Sequence, residues 1–248
     1  MTASAPRPPG DLHALPPGAL PALRLVLAVS LDGRLAPPQG GAAQLGGAGD
    51  RQVLEEALAW ADGCLLGAAT LRAHGTTCLI HRPELLAQRL EQHRPPQPAA
   101  LVVSRQGQLD PHLPFFRQPL QRWLLHAAPA DSPPGVLPPG GAIPPQTPPA
   151  AFAHRLQLQR WPDTLAALAA AGLSRLLLLG GAQLAAQLLA ADLVTELQLT
   201  LVPRLLGGRH TWWPVDGPWP RPEAPAWELL EHRSLGAGEL MLRYRRSS

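Results

Sequence analysis

The stretch Leu176-Leu-Leu-Leu-Gly-Gly181-Ala-Gln-Leu-Ala-Ala-Gln-Leu-Leu189, continuing through Asp192-Leu-Val-Thr-Glu196 to Val202-Pro-Arg-Leu-Leu-Gly-Gly208, decides the fold. It reads as a buried apolar strand, a glycine pair, an amphipathic helix, a second strand and a Pro/Gly loop. That order sets a helix N-terminus directly beyond the carboxyl end of a strand. In open α/β sheets phosphorylated ligands bind there, because free backbone N–H groups and the helix dipole both face the anion. A nucleotide cofactor is the expectation.

Working outward, Leu23 to Val29 reads as a buried strand running into the Ser30-Leu-Asp-Gly33 turn. A Gly-rich loop follows, and Asp50 is placed to cap a helix with apolar positions Val53, Leu54, Ala57, Leu58 and Ala61. Gly63 to Gly67 is a short strand, Ala68-Ala-Thr70 opens a helix, and Pro83 to Gln92 is a helix begun by proline. Ala99 to Val103 and Trp123 to His126 read as further strands. Trp227 to His232 and Glu239 to Arg245, split by Gly236-Ala-Gly238, suggest an antiparallel hairpin. Alternating strands and helices predict an α/β protein with a mostly parallel sheet covered on both faces. A loose arm over 1–20, one domain over 21–248 and a Pro-rich surface loop near 128–150 complete the expected organisation. Trp212, Trp213 and Trp219, set among prolines, read as packing over a sheet edge or a subunit contact.

Composition narrows the function. The chain has 248 residues, 46% of them hydrophobic and 16% charged, and its 21 basic residues are all arginine. Without lysine there is no Schiff-base or P-loop lysine chemistry. The net charge of +3 is scattered, which argues against nucleic acid. The longest apolar stretch, 176–194, is broken by glycine, glutamine and aspartate, so no membrane span is expected. Cys64 and Cys78 form no CxxC, and a cytoplasmic protein with reduced thiols is expected. The histidines show no HxH or HExxH spacing, so no metal is expected.

Three strand ends carry similar chemistry. Gly67-Ala-Ala-Thr70 offers a hydroxyl at a helix start, Ser104-Arg105 a hydroxyl and a guanidinium, and Gly180-Gly181 close approach of backbone to ligand. Together they suit a dinucleotide, and an arginine beside the site fits the 2′-phosphate of NADPH.

Leu27-Ala-Val-Ser30-Leu-Asp-Gly-Arg34, Leu66-Gly-Ala-Ala-Thr70, Val102-Val-Ser104, Gly180-Gly181 with its helix, and Val202-Pro-Arg-Leu-Leu-Gly-Gly208 resemble the reductase domain of the riboflavin-biosynthesis deaminase-reductase, the RibD C-terminal family. The resemblance implies a dihydrofolate-reductase-like fold, a homodimer, and NADPH-dependent reduction of the ribosyl group of an aminopyrimidine phosphate to ribityl. It implies NADP contacts at Ala28, Thr70, Ser104 and the run Gly181 to Gln187, which includes Ala182, Gln183 and Leu184. Relatives with this fold suggest a strained or cis peptide at the glycine pair. Leu79 and Arg82 match a substrate element in which the arginine holds phosphate. Asp32 is the candidate acid near the nicotinamide, with turn formation as its alternative role. No H-x-E or P-C-x-x-C signature occurs, so the deaminase half is missing and a separate deaminase is an expected partner.

The chain also departs from the family. Leu179 stands where a glutamate usually precedes the glycine pair, Leu58 where the first helix carries arginine, Ala43-Gln44-Leu45 where Ser-x-Trp is usual, and His74 where an acid follows the threonine. A charged hydrogen bond contributes about 1.5–3 kcal/mol, so two lost together weaken the family substrate by orders of magnitude unless other groups replace them. A catalytically silent NADP-binding or partner module is therefore the alternative from another class. A pterin or folate reductase is a further one, opposed by the Pro-Arg-Leu-Leu-Gly-Gly ending and by the lack of an aromatic after Gly181.

Overall fold

A computed structural model describes residues 18–41, 45–105, 107, 109–127, 151–213 and 226–247. Its element order is β1 (Ala22–Ser30), α1 (Ala48–Trp60), β2 (Gly63–Gly67), α2 (Ala68–His74), α3 (Pro83–Glu91), β3 (Ala99–Ser104), β4 (Arg122–Ala127), β5 (His154–Leu158), α4 (Trp161–Ala170), β6 (Arg175–Leu178), α5 (Ala182–Ala190), β7 (Glu196–Val202), β8 (Trp227–Gly236) and β9 (Glu239–Arg246). One sheet runs β5-β4-β3-β2-β6-β1-β7-β9-β8. The strands from β5 to β7 in that order are parallel, and the β8–β9 hairpin joins β7 antiparallel, as the sequence predicts.

The chain builds outward from β1 and β2 to β5, then returns to insert β6 between β1 and β2. That reversal is the switch point at which α/β sheets leave a crevice beyond their carboxyl ends. Leu176, Leu177 and Leu178 fill the central strand because both its faces are covered. Leu176 and Leu178 pack with Leu165, Leu168, Leu184 and Leu188 of α4 and α5. Leu177 packs on the other face with Ala57, Leu58 and Leu85 of α1 and α3.

Several expectations are corrected. β5 and α4 were not foreseen: Arg155 and Gln157 break the apolar run of the edge strand β5, and α4 opens on Trp161-Pro162. Asp50 does not cap α1; Gly47 is the cap residue and no side chain bonds the first turn. Every described peptide bond is trans, so the expected cis peptide at Gly180-Gly181 is absent; both glycines have positive φ, which glycine adopts readily. Trp212 packs against the core beside Trp213, while Trp219 and the Pro-rich 128–150 loop lie outside the described residues. Cys64 and Cys78 are free thiols. No described helix is long and apolar enough to cross a membrane, and no described cluster of His, Cys, Asp or Glu is arranged to hold a metal.

The amino edge of the sheet is locked by arginine. Arg89, only 1% exposed, donates to the carbonyls of Leu58, Ala59, Ala61 and Pro95. Arg94 donates to the carbonyls of Ala59, Trp60 and Ala61 and to Asp62. The two guanidiniums close the C-terminus of α1, whose last carbonyls have no helical partners and carry the negative end of the dipole. Asp62 in turn accepts the Ser174 and Arg175 backbone N–H groups at 3.1 and 2.9 Å, fastening α1 to the start of β6.

Candidate functional site at the carboxyl edge of the sheet

At the opposite edge β3, β2, β6 and β1 end side by side. Register pairs Val103 with Gly67 and Leu65 with Leu178, so Ser104, the Gly67 turn and the Gly180-Gly181 pair form one continuous rim. The strand ends that share chemistry in the sequence are neighbours in space.

Gly180 and Gly181 have φ of +114° and +88°, a region that L side chains rarely enter. A Cβ at Gly180 would meet nothing within 4 Å, whereas one at Gly181 would lie 3.3 Å from Thr70 Oγ1. The pair thus leaves open space beside the Thr70 hydroxyl. Directly after it α5 begins without any side-chain cap. The first-turn amides have no partner inside the helix, and the dipole favours an anion there. Leu184 has its side chain in the core, so it offers only its amide; Ala182 is half-buried and Gln183 exposed. Gln187 is exposed and accepts the Trp161 Nε1–H at 3.3 Å.

Ser104 is buried, and its Oγ accepts the Gly107 N–H at 3.0 Å, so the hydroxyl shapes the loop beyond β3. Arg105 beside it is exposed on the rim. Ala28 is half-buried on β1, on the face that carries α1, opposite Thr200 of β7.

Asp32 is built into the turn after β1, as the turn-forming one of its two expected roles requires. Its carboxylate accepts the Ser30 hydroxyl at 2.5 Å, the Leu206 N–H at 3.1 Å and the Gly207 N–H at 2.8 Å. The Ser30 hydroxyl first, and then the Leu206 amide, push its pKa down to about 2. Asp32 straps the turn after β1 to the 203–208 loop, and that loop carries Leu205 76% exposed at its tip.

On the substrate side, Leu79 is half-buried between α2 and α3, and Arg82 precedes α3. Arg82 is not a free cation: its guanidinium meets Glu84 at 2.7 Å and Glu56 at 3.4 Å. Its backbone N–H and that of His81 both donate to the buried Glu55 carboxylate at 2.9 Å. A pocket of about 520 Å³ opens here, lined by Gly46, Gly47, Ala48, Arg51, Glu55 and Arg82. The family departures fall into place: Leu58 is fully buried core, Leu179 packs against the cluster that holds Leu58 and Leu177, and His74 is exposed.

The arrangement not foreseen from sequence lies under the first turn of α1. The Asp50 carboxylate is set against Gly46, and Glu239, 6% exposed, accepts the Gly47 N–H at 2.6 Å. The glycines make room, since a Cβ at Gly46 would fall 1.9 Å from Asp50 Oδ2 and one at Gly47 3.0 Å from Glu239 Oε1. The Gly46-Gly47 pair ahead of a carboxylate was the available signal.

No curated protein matches the sequence. Among solved structures the chain is similar to a pyrimidine reductase-like protein of Corynebacterium diphtheriae, at 19% identity and TM-score 0.69, covering 92% of each chain. It is similar to the riboflavin biosynthesis reductase of Saccharomyces cerevisiae, at 18% identity and TM-score 0.58, covering 92% of this chain and 90% of that one. It also aligns with the diaminohydroxyphosphoribosylaminopyrimidine deaminase/5-amino-6-(5-phosphoribosylamino)uracil reductase of Thermotoga maritima, at 16% identity and TM-score 0.69, covering 92% of this chain and 57% of that one. The chain therefore spans little more than half the length of that relative. These likenesses share its fold. The model of the RibD C-terminal domain matches residues 21–241, and the chain belongs to that family.

Proposed function

We propose that the protein is an NADPH-dependent reductase that converts the ribosyl group of an aminopyrimidine phosphate to ribityl. The observation that carries this reading is the rim itself: an uncapped helix N-terminus, a glycine pair at positive φ and the Thr70 hydroxyl, contiguous at a topological switch point. The residues fit a dinucleotide. The α5 amides and Gly180-Gly181 would hold the pyrophosphate, Thr70 would bond it, and Arg105 would meet the 2′-phosphate. The cofactor supplies hydride; the protein orients it and excludes water. Deamination, the companion step in the Thermotoga maritima relative, would come from a separate partner polypeptide.

One set of observations favours the catalytically silent reading. Arg82 is already paired with two carboxylates, and Leu58 and Leu179 are packed where the family carries charge. The deciding experiment incubates the protein with NADPH and 5-amino-6-(5-phosphoribosylamino)uracil and follows NADPH oxidation together with the mass of the product. Turnover with a product heavier by two hydrogens supports the reductase. NADPH binding without turnover supports the silent module.

A further inference from the structure

At the amino edge of the sheet the arginines carry more donors and more charge than the fold consumes. A cavity of about 270 Å³ opens there, lined among others by Asp62, Arg89, His93, Arg94, Gln121 and Arg175. It shares no lining residue with the rim at the carboxyl edge. Sites for drug-sized ligands run from roughly 300 to 1,000 Å³, so this one admits a small ion and not a dinucleotide.

The first surplus is in donors. Arg89, 1% exposed, gives Nε and Nη1 to four carbonyls, and its Nη2 has no partner among the described residues. Arg175 gives Nη2 to Asp62 at 3.2 Å, while its Nε is buried without a partner, as is the Nε of Arg94, a residue only 9% exposed. A buried donor without an acceptor costs free energy that a bound acceptor recovers. The second surplus is in charge. Asp62 is the carboxylate that meets these guanidiniums among the described residues, at 2.9 Å from Arg94 and 3.2 Å from Arg175, and Arg89 bonds carbonyls only. Three cations against one anion leave two positive charges, of which the negative end of the α1 dipole offsets about half of one. Burial first, and the charge of Arg175 second, push the Arg94 pKa down, as crowding of like charges requires.

We infer that this cavity is a second ligand site, for a phosphate dianion, at the edge of the sheet opposite the proposed cofactor rim. A phosphate group carries about −1.5 to −2 charge at neutral pH, close to the charge left over, and the guanidinium fork matches its oxygens. Arg89 brings its free Nη2 from α3 and Arg175 its guanidinium from β6, with Asp62 holding Arg94 and Arg175 in place between them. The anion joins the α1–β2, α3–β3 and α4–β6 connections, which supply Asp62, Arg94 and Gly172 to the cavity. It binds an arrangement that exists only in the folded chain, so it stabilises the fold by mass action. The free ion and the phosphate end of a small monoester offer the same chemistry.

Calorimetric titration with inorganic phosphate, at an ionic strength held constant with sodium chloride, should show saturable binding, and phosphate at about ten times Kd should raise the melting temperature by about 3 °C or more. Arg175→Gln keeps the backbone N–H that Asp62 accepts and removes one guanidinium, and it should weaken phosphate about tenfold or more. Gln121→Glu, at an exposed position outside the arginine lock, adds a negative charge to the cavity wall and should weaken phosphate as well, so the test survives if Arg175→Gln fails to fold. Arg105→Ala on the other edge should leave phosphate affinity unchanged, and so should saturating NADPH. None of these readouts depends on turnover. Methyl phosphate separates the two sources: binding equal to that of phosphate assigns the cavity to the end of a monoester, and exclusion of the methyl group assigns it to the free ion. Absence of saturable phosphate binding, or binding that Arg105→Ala or NADPH removes while Arg175→Gln and Gln121→Glu leave it intact, overturns the inference.

Discussion

The two ends of the central sheet handle unpaired helix termini in opposite ways. At the amino edge, the last carbonyls of α1 are closed by Arg89 and Arg94, and Asp62 ties them to β6. At the carboxyl edge, the first amides of α5 have no side-chain cap, and two glycines and a threonine hydroxyl keep the approach clear. A buried terminus left without partners costs free energy, so an open one beside a crevice marks a place for a ligand. Closed termini hold the fold; the open one is where the proposed reading puts the cofactor.

The sharpest way to break that contrast is to block the open end. Gly181→Val sets a β-branched side chain at φ +88° against Thr70 Oγ1. The backbone strain costs about 1–2 kcal/mol, a tolerable share of a typical stability. NADPH affinity should fall by about two orders of magnitude or more, near 3 kcal/mol, while circular dichroism reports a folded protein. Unchanged affinity in a fluorescence titration would mean that the glycines serve only the turn.

The reverse substitution belongs at the closed end. Arg89→Met keeps the apolar stem but strips the donors from four carbonyls, and it should lower unfolding free energy by about 3 kcal/mol in urea. Burial, with the neighbouring Arg94, brings the Arg89 pKa to about 10, so the group stays cationic at neutral pH and the loss should be flat between pH 6 and 8, roughly. NADPH affinity of the folded fraction should not change. A fall in affinity would show that the two edges are coupled.

The open edge was legible in the sequence because its signals are local. Gly180-Gly181, Thr70 and Ser104-Arg105 each sit where a periodic run stops, and a parallel sheet makes such stops coincide. The closed edge was not legible, because Arg89 and the carbonyls it meets at Leu58 and Ala59 are about thirty residues apart and nothing in an arginine on a helix reveals its target. Asp50 was misread for a related reason. Its position at the start of a helix matches a cap, and only the folded chain shows its carboxylate set against Gly46 instead. Asp32 was legible as a turn former and not as an ion, since its amide partners at 206 and 207 come from a loop far along the chain. β5 escaped because an edge strand needs only one partner, and its run His154-Arg-Leu-Gln-Leu158 has little apolar content to announce it.

Arg105 sharpens the contrast within the open edge. It is exposed beside the buried Ser104, on the rim to which the proposed reading assigns the 2′-phosphate. Arg105→Ala should cut the preference for NADPH over NADH by about tenfold or more, since a charged hydrogen bond to phosphate contributes roughly 1.5–3 kcal/mol. NADH affinity should stay where it was. Equal affinities for the two cofactors before substitution would remove the arginine from the site.

Arg82 carries the smallest expected effect, and it tests whether the substrate side is open or closed. The family match alone makes it a phosphate ligand whose loss should raise KM strongly. The structure weighs against a large effect, because Glu84 and Glu56 already meet the guanidinium and hydrogen bonding from Glu84 raises its pKa further. An incoming phosphate must displace or share those carboxylates, and part of its binding energy goes into separating them. Arg82→Ala should therefore raise KM for a phosphorylated substrate only a few-fold, about 1 kcal/mol or less, with kcat unchanged if the contact is equal in ground and transition states. Glu84→Gln supplies the complementary test: freeing one partner should lower KM if phosphate and carboxylate compete for the same cation. A KM that rises a hundredfold in Arg82→Ala and ignores Glu84→Gln would show that the arginine leaves its carboxylates when substrate arrives, and would move this side of the site from the closed class to the open one.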